Sequence, residues 1–159
     1  MRNSLIPTIA VSTLLVLLLS QRYFGFMIIF VLLVLIPSFA YSGIRCTTFP
    51  AERKLRVQKA IVWCIAVAII FSVHRSMSEY AQTYAQSVVE KIEAYISSHG
   101  RCPAALEDVG ISTDTYKKSL GGGYYVCDKG EPSLFYPSTG VPFEKEHYDF
   151  AKREWRHID

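Results

Sequence analysis

The segment Ala60–Gly100, "AIVWCIAVAIIFSVHRSMSEYAQTYAQSVVEKIEAYISSHG", passes from an apolar run into an amphipathic pattern. Its first part, Ala60–Val73, contains no charged residue and no histidine. In the second part apolar residues recur every three or four positions, which is typical of a helix with one buried face. These residues are Tyr80 or Ala81, Tyr84 or Ala85, Val88, Ile92, and Tyr95 or Ile96. No proline or glycine interrupts the chain from Arg53 to Ser98, so both parts can belong to one continuous helix. Two separate helices are the alternative.

The residues after this segment predict a small antiparallel sheet. Gly100 and Pro103 mark the end of the amphipathic helix. "PAALEDVG" then predicts one or two helical turns, and Ser112 or Thr113 can cap a short helix. Short strands separated by turns follow: "GYYVCD", "SLFYPS", "HYDFA" and "EWRHI". The pattern predicts a small α+β domain in which the long helix packs against the sheet.

Two further apolar segments, Leu5–Ser20 and Phe24–Tyr41, precede the segment quoted above. A helix that crosses a bilayer needs about 17–25 residues, and Phe24–Tyr41 reaches that length directly. The other two segments are extended by flanking arginine and lysine side chains, which can reach the membrane surface. The sequence thus predicts three transmembrane helices. Two alternatives stay open: the first segment also fits a signal peptide, and the third fits a buried core helix.

The charge is unevenly distributed along the chain. Before Arg75 there are seven basic residues and one acidic residue, so this half carries +6, whereas the rest carries −3 with ten basic and thirteen acidic residues. Positively charged loops stay in the cytoplasm, and the connection 42–59 is the basic one. The residues that set its charge are Arg45, Arg53, Lys54, Arg56 and Lys59.

This charge pattern predicts a multi-pass protein of the bacterial inner membrane with a cytoplasmic amino terminus. Residues 1–74 form the membrane region, with helices at about 5–20, 24–41 and 60–73 and a cytoplasmic loop at 42–59. Residues 75–159 form a periplasmic α+β domain. The slight acidity of that domain argues against binding of nucleic acid.

The four cysteines fall into two classes. Cys102 and Cys127 belong to the predicted periplasmic domain, where a disulfide can form. A bridge between them closes a loop of roughly 25 residues and contributes about 3–4 kcal/mol in the chain-entropy model. A reactive or metal-binding role for these thiols is the alternative. Cys46 lies in the basic loop, and Cys64 lies in the third apolar segment, where a thiol behaves as a small hydrophobe.

The remaining polar residues do not form a recognisable catalytic or cofactor motif. The histidines lack the spacing of metal ligands. His147, Asp149 and a serine have the residue types of a catalytic triad, but the sequence contains no nucleophile elbow that would support one. We therefore expect neither an enzyme nor a cofactor. Tyrosine and tryptophan often anchor protein interfaces, so we expect part of the aromatic cluster to face a partner, with Tyr124, Tyr136, Tyr148 and Trp155 as candidates.

The C-terminal two thirds of the chain, Ala60–Asp159, resembles type IV pilins and the pseudopilins of type II secretion. The resemblance rests on an apolar helix that continues into an amphipathic one, on a G-R-x-P-x-x-L turn (Gly100, Arg101, Pro103, Leu106), and on the small antiparallel sheet. It implies a pilin-like fold. The chain departs from the family because "RVQKAIVWC" lacks the glycine and the glutamate of a prepilin-peptidase site, and because two apolar segments precede it. A permanently membrane-held protein is therefore expected, not a filament subunit.

The ending Tyr148–Asp159, "YDFAKREWRHID", with "PSLFYPSTGVPFEKEHYDF" before it, is similar to small bacterial inner-membrane immunity proteins. The resemblance implies a protein that binds and neutralises a membrane-targeting toxin delivered to the periplasm, and it assigns no binding residues. The implied partners are the lipid bilayer and a toxin effector, with self-association left open. The alternative function is that of an accessory membrane component of a type IV pilus or type II secretion assembly.

Overall fold

The computed structural model describes residues 5–48, 53–139, 141 and 143–158, with the backbone alone for 45–48. The chain divides into two compact units, Met1–Arg75 and Ser76–Asp159. They are called here the N-terminal unit and the C-terminal domain. The first is helical, and the second combines helices with a four-stranded antiparallel sheet.

The N-terminal unit contains helices α1 (Ile6–Leu19) and α2 (Ile28–Thr48) and the first half of α3 (Arg53–His99); a 3-10 turn, Gly25–Met27, precedes α2. Two helical stretches are long and apolar enough to cross a membrane, namely Gly25–Ile44 and Arg53–His99, whereas α1 is a shorter apolar helix. Both long helices extend past their apolar segments, because polar residues form intrahelical hydrogen bonds as readily as apolar ones. The connection between them is therefore shorter than the predicted loop 42–59, and of that loop residues 49–52 and the Arg45 side chain lie outside the described parts.

A histidine joins α1 to α3 within the N-terminal unit. His74 Nε2 lies 2.6 Å from the carbonyl oxygen of Leu19, the last residue of α1. The last carbonyl groups of a helix have no intrahelical partner, so His74 satisfies one of them. This contact brings the C-terminal end of α1 beside the end of the apolar part of α3.

Helix α3 is a single helix of 47 residues that contains both parts of the segment quoted first. The alternative of two separate helices is thereby excluded. The helix ends where Gly100 adopts a positive φ of 67°, and the Gly100 N–H donates to the carbonyl oxygen of Ile96 at 2.8 Å. Glycine adopts this left-handed conformation without the steric cost that a Cβ atom brings.

Four strands form the sheet of the C-terminal domain: β1 (Tyr124–Asp128), β2 (Glu131–Pro137), β3 (Lys145–Asp149) and β4 (Glu154–Ile158). Each pairs antiparallel with the next along the chain, so the spatial order is β1-β2-β3-β4. The predicted strands correspond to these four, although β2 and β3 each begin two residues earlier than "SLFYPS" and "HYDFA". Between α3 and the sheet lie a 3-10 turn (Leu106–Val109) and α4 (Thr113–Leu120), whose N-cap residue is Ser112.

The core of the C-terminal domain lies between α3, α4 and one face of the sheet. It contains Val88 and Ile92 from α3, Tyr116 and Leu120 from α4, and Leu134, Tyr136 and Tyr148 from the strands. The buried positions of α3 repeat every three or four residues, as the sequence predicts. Alternate residues of β2, Leu134 and Tyr136, face this core, so the residues between them belong to the opposite, open face of the sheet.

Tyr116 fixes α4 to the sheet through a buried hydrogen bond. Its hydroxyl donates to the carbonyl oxygen of Phe135 at 2.9 Å, and burial raises the pKa of this phenol. Gly123 lies against the same carbonyl, since a Cβ atom placed there would be 2.5 Å from the Phe135 oxygen. Only glycine permits this close approach at the start of β1.

Candidate functional site

The structure brings Cys102 and Cys127 to disulfide distance, with their Cα atoms 6.1 Å apart. Cys102 follows the end of α3 and Cys127 belongs to β1, so the pair connects the helix to the first strand. Cys64 is a free, exposed cysteine in the apolar part of α3. The side chain of Cys46 lies outside the described residues.

The four aromatic residues expected to face a partner occupy different environments. Tyr124 is on the surface and 49% exposed, whereas Tyr136 and Tyr148 are only 5% and 4% exposed. Burial in the core corrects the expectation that Tyr136 and Tyr148 contact a partner. Trp155 is half-buried against the core. Of the four candidates, Tyr124 is therefore the most exposed.

The polar groups of the inward-facing aromatic residues reach α3. The Trp155 Nε1–H donates to Gln86 Oε1 at 3.0 Å, and the Tyr148 hydroxyl lies 3.4 Å from Glu93 Oε1. A buried indole or phenol needs such a partner to offset its loss of hydration. These two residues thus hold the sheet against the helix.

A row of stacked rings crosses the open face of the sheet. Tyr124 of β1 lies opposite Phe135 of β2, which lies opposite His147 of β3. The ring centroids are 4.9 Å apart in the first pair and 4.3 Å apart in the second, and the rings are nearly parallel. Arg156 of β4 occupies the next position in the register. Tyr124, Phe135 and His147 are called here the aromatic row.

The aromatic row contains two residues, Phe135 and His147, that were not among the sequence candidates. Their alternation with Tyr136 and Tyr148 is the signal that could have found them, because adjacent strand residues point to opposite faces. Tyr124 and Val126 make this face partly apolar, with Val126 44% exposed. Phe143, before β3, is a further accessible aromatic side chain of this domain, 82% exposed.

Ser133 and His147 form a pair on the open face, with Ser133 Oγ 3.1 Å from His147 Nε2. Asp149 lies opposite Ser133 in the register. Its carboxylate accepts the backbone N–H groups of Ala151 and Lys152 and forms an ion pair with Arg156 at 3.3 Å. A catalytic triad needs the acid to orient the histidine ring. Here Asp149 is engaged in the β3–β4 turn, and the histidine ring is stacked on Phe135.

An acidic cavity of about 630 Å³ lies where α3 meets the two hairpin turns of the sheet. Four carboxylate residues line it, and Arg153 is its basic residue; the carboxylates are those of Glu93, Asp128, Glu131 and Asp149. Arg153 lies 3.6 Å from Glu93, and its side chain is mostly exposed. A cavity with this balance of charge favours a cationic group. Ser133 and His147 also line it, so the cavity adjoins the aromatic row.

His157 at the far end of β4 is held between two carboxylates. Its Nδ1 lies 2.8 Å from Glu146 Oε1 and its Nε2 lies 2.9 Å from Glu144 Oε2. These hydrogen bonds, that of Glu146 first, raise the pKa of His157. Within the described residues no group of three histidine, cysteine or acidic side chains is arranged to hold a metal ion.

The described basic residues of the predicted cytoplasmic connection differ in their exposure on α3. Arg53 and Lys54 are exposed, whereas Arg56 and Lys59 are half-buried. The latter two line a cavity of about 420 Å³ between α2 and α3. The positive charge predicted to set the topology is thus divided into an exposed pair and a pair that faces α2.

No protein family, no curated protein and no solved structure matches this chain.

Proposed function

We propose that this chain is a non-enzymatic immunity protein of the bacterial inner membrane. Three helices anchor it with the amino terminus in the cytoplasm, and the C-terminal domain lies in the periplasm. There it binds a membrane-targeting toxin before the toxin inserts. The anchor keeps the binding domain at the surface that such a toxin attacks.

The observation that carries this proposal is the aromatic row on the open face of the sheet. The helices α3 and α4 pack on the other face, so the rings of Tyr124, Phe135 and His147 face outward. Stacked rings form a rigid surface that loses little conformational entropy when a partner binds. Aromatic residues beside arginine are the usual anchors of protein interfaces, and Arg156 continues the row.

The charge around the aromatic row supports a partner with a basic segment. The acidic cavity adjoins the row through Ser133 and His147, and four carboxylates line it against one arginine. Complementary charge raises the rate of association and selects the partner. Anionic lipid attracts basic segments, so a toxin that approaches the membrane through such a segment would also fit this cavity.

The anchoring part of the proposal is supported by the helices and by the charge pattern. Two helical stretches reach the length and apolarity of a membrane span. The contact of His74 with the end of α1 agrees with α1 and α3 crossing in the same direction, which a third span requires. The disulfide distance between Cys102 and Cys127 agrees with a C-terminal domain in the oxidising periplasm.

The proposal is tested by site-specific photocrosslinking in the native cell. A photoreactive phenylalanine analogue replaces Tyr124 in one strain and Tyr80 in a control strain. Tyr80 is a matched control because it is an exposed tyrosine of the same domain, on α3 instead of the sheet. We expect a protein adduct at position 124 and none at position 80.

The captured protein is then expressed with an export signal in cells that lack the immunity protein. We expect loss of membrane potential and of viability, with full rescue by the wild-type chain and by Tyr80→Ala. The variant Tyr124→Ala/Phe143→Ala should lose most of the protection, since truncating interface anchors costs about 2 kcal/mol or more each. A captured protein that is harmless in cells without this chain would refute the immunity function.

A second function, an accessory role in a type IV pilus or type II secretion assembly, is favoured by one observation. Helix α3 continues from an apolar into an amphipathic part and packs on an antiparallel sheet, as in the pilin-like arrangement. Deletion of the gene would then reduce filaments or secreted protein without any toxicity, and the adduct at position 124 would contain a pilin or a secretion subunit.

A further inference from the structure

The groove between α2 and α3 has a polar end and an apolar end. α2 contributes Val34 and Leu35 at one end and Ser42 at the other, while α3 contributes Trp63 and Arg56 at the corresponding ends. Since α2 runs toward residue 48 and α3 begins at Arg53, the polar end adjoins the connection between the two helices. The groove therefore passes from the charged connection toward the apolar centre of both helices.

Two cations lie at the polar end. Arg56 and Lys59 are three residues apart in α3, so their side chains lie on the same face of the helix. Both are half-buried beside α2 and line the groove. Ser42 adds a hydroxyl group, whereas the Ser38 hydroxyl donates to the carbonyl oxygen of Val34 at 2.7 Å. No acidic residue is among the described residues that line this groove. Such a set of donors suits a phosphate group.

The apolar end selects among phosphate-bearing ligands. Inorganic phosphate would bind to the two cations alone. It has no apolar part that could contact the side chains of Val34, Leu35 and Trp63. A phospholipid uses both ends, because its phosphate lies at the membrane surface and its acyl chains extend toward the bilayer centre. Basic pockets between membrane helices on the cytoplasmic side bind anionic headgroups for this reason.

We propose that this groove binds an anionic phospholipid, with the phosphate between Arg56 and Lys59 and an acyl chain along Val34 and Leu35. The inference rests on the membrane anchoring in the proposed function, but not on immunity or on any toxin. Arg53 and Lys54 are exposed and are not among the residues that line the groove, so they add positive charge to the connection without taking part in this site.

The test uses the purified full chain in vesicles of equimolar phosphatidylglycerol and phosphatidylcholine. Trp63 lines the groove and reports on it, and Trp155→Phe removes the second of the two tryptophans. Brominated acyl chains quench tryptophan fluorescence on contact. Placing the bromines either on phosphatidylglycerol or on phosphatidylcholine shows which lipid lies beside Trp63.

We expect stronger quenching by the brominated anionic lipid. In Arg56→Gln/Lys59→Gln this preference should fall at least about fivefold, as loss of a cation near an anionic surface predicts. The matched control Arg53→Gln/Lys54→Gln removes the same charge from the same end of α3 and should keep the preference. Native mass spectrometry of the chain with both tryptophans should show retained phosphatidylglycerol in the wild type and the control.

Three results would overturn the inference. Equal quenching by both lipids shows that no anionic lipid is selected, and equal losses in both double variants show that the effect is one of overall charge. Displacement of the lipid by millimolar inorganic phosphate would assign the site to a free anion. Extraction of the protein by alkaline carbonate would instead refute the membrane anchoring itself, and this separates the failure of the proposed function from that of the lipid site.

Discussion

Two histidines on neighbouring strands are shifted in opposite directions by their surroundings. Desolvation against Phe135 and the nearby charge of Arg156 lower the pKa of His147, and Asp149 opposes them only in part. The carboxylates of Glu146 and Glu144 raise the pKa of His157. The same hairpin therefore contains one imidazole whose neutral form is favoured, on the open face of the sheet, and another whose protonated form is favoured, at the far end of β4.

These shifts predict a pH dependence of stability with a defined sign. The ion pairs of His157 stabilise the fold fully below the ordinary histidine pKa of 6.5, and this contribution is lost as pH rises through the higher folded value. His147 acts the other way, since its neutral form is favoured. Its contribution is present above 6.5 and is lost as pH falls toward its lower folded value.

NMR titration of the histidine ring signals tests this assignment. We expect the His157 signal to titrate above 6.5 and the His147 signal below it. In Glu144→Gln/Glu146→Gln the midpoint of His157 should move down toward the ordinary value. Glu131→Gln is the control, because this substitution removes the same type of charge at the opposite end of the sheet. An unchanged His157 midpoint in the double variant would show that the carboxylates do not hold its proton.

At the scale of elements, the sequence was sufficient for what depends on local pattern. The apolar periodicity of α3, the glycine at its end and the turns between strands are all local signals, and the structure contains the corresponding elements. Continuity of α3 through His74 and Arg75 was left open, because the change from an apolar to an amphipathic pattern marks no boundary in the backbone.

The aromatic row was not predictable from the same signals. Whether Phe135 meets Tyr124 and His147 depends on the register of two hairpins, and a shift by one residue would exchange the two faces of a strand. Tyr136 and Tyr148 could not be assigned to the core from the sequence, because the register of the strands decides which face each residue occupies. Their residue type suits an interface as well as a core, and only the pairing with Leu134 and α3 shows which of the two they serve.

The connection between Cys102 and Cys127 is expected to contribute strongly to the stability of the C-terminal domain. The two cysteines are 25 residues apart, and closing such a loop stabilises the fold by about 3 kcal/mol in the chain-entropy model. Cys102→Ser/Cys127→Ser should lower the free energy of unfolding by about this amount. Urea unfolding, followed by Trp155 fluorescence in a Trp63→Phe background, measures it.

Cys64→Ser is the control for this experiment, since Cys64 is free and lies outside the C-terminal domain. Its unfolding curve should match that of the parent. Reducing agent should shift the parent curve to that of the double variant. A double variant as stable as the parent would show that the pair contributes no stabilising bond.

At the scale of the whole molecule, the dominant feature is the separation of charge between the two halves of the sequence. The half before Arg75 carries +6 and the half from Arg75 onward carries −3. Basic segments resist transfer across the inner membrane and acidic ones do not. The distribution therefore supports the proposed orientation, in which the basic connection is cytoplasmic and the C-terminal domain is exported.

A fusion of alkaline phosphatase to the C-terminus tests this orientation, because the enzyme is active only after export. We expect high activity with the wild-type chain. Replacing Arg53, Lys54, Arg56 and Lys59 by glutamine should remove most of this activity, because it removes the positive charge that keeps the connection in the cytoplasm. Lys117→Gln/Lys118→Gln in α4 is the control and should leave the activity unchanged. An inactive wild-type fusion would place the C-terminal domain in the cytoplasm and refute the proposed orientation.

The strand order of the sheet has a consequence for how the domain is made. Because β1, β2, β3 and β4 are neighbours in space in the order in which they are synthesised, each new strand finds its partner already present. Contacts between residues close in sequence form fast and need little search. The helix α3 emerges first and offers its apolar face as the template for the sheet. Assembly can thus proceed from one end of the chain to the other, with little time during which an unpaired strand is exposed to aggregation.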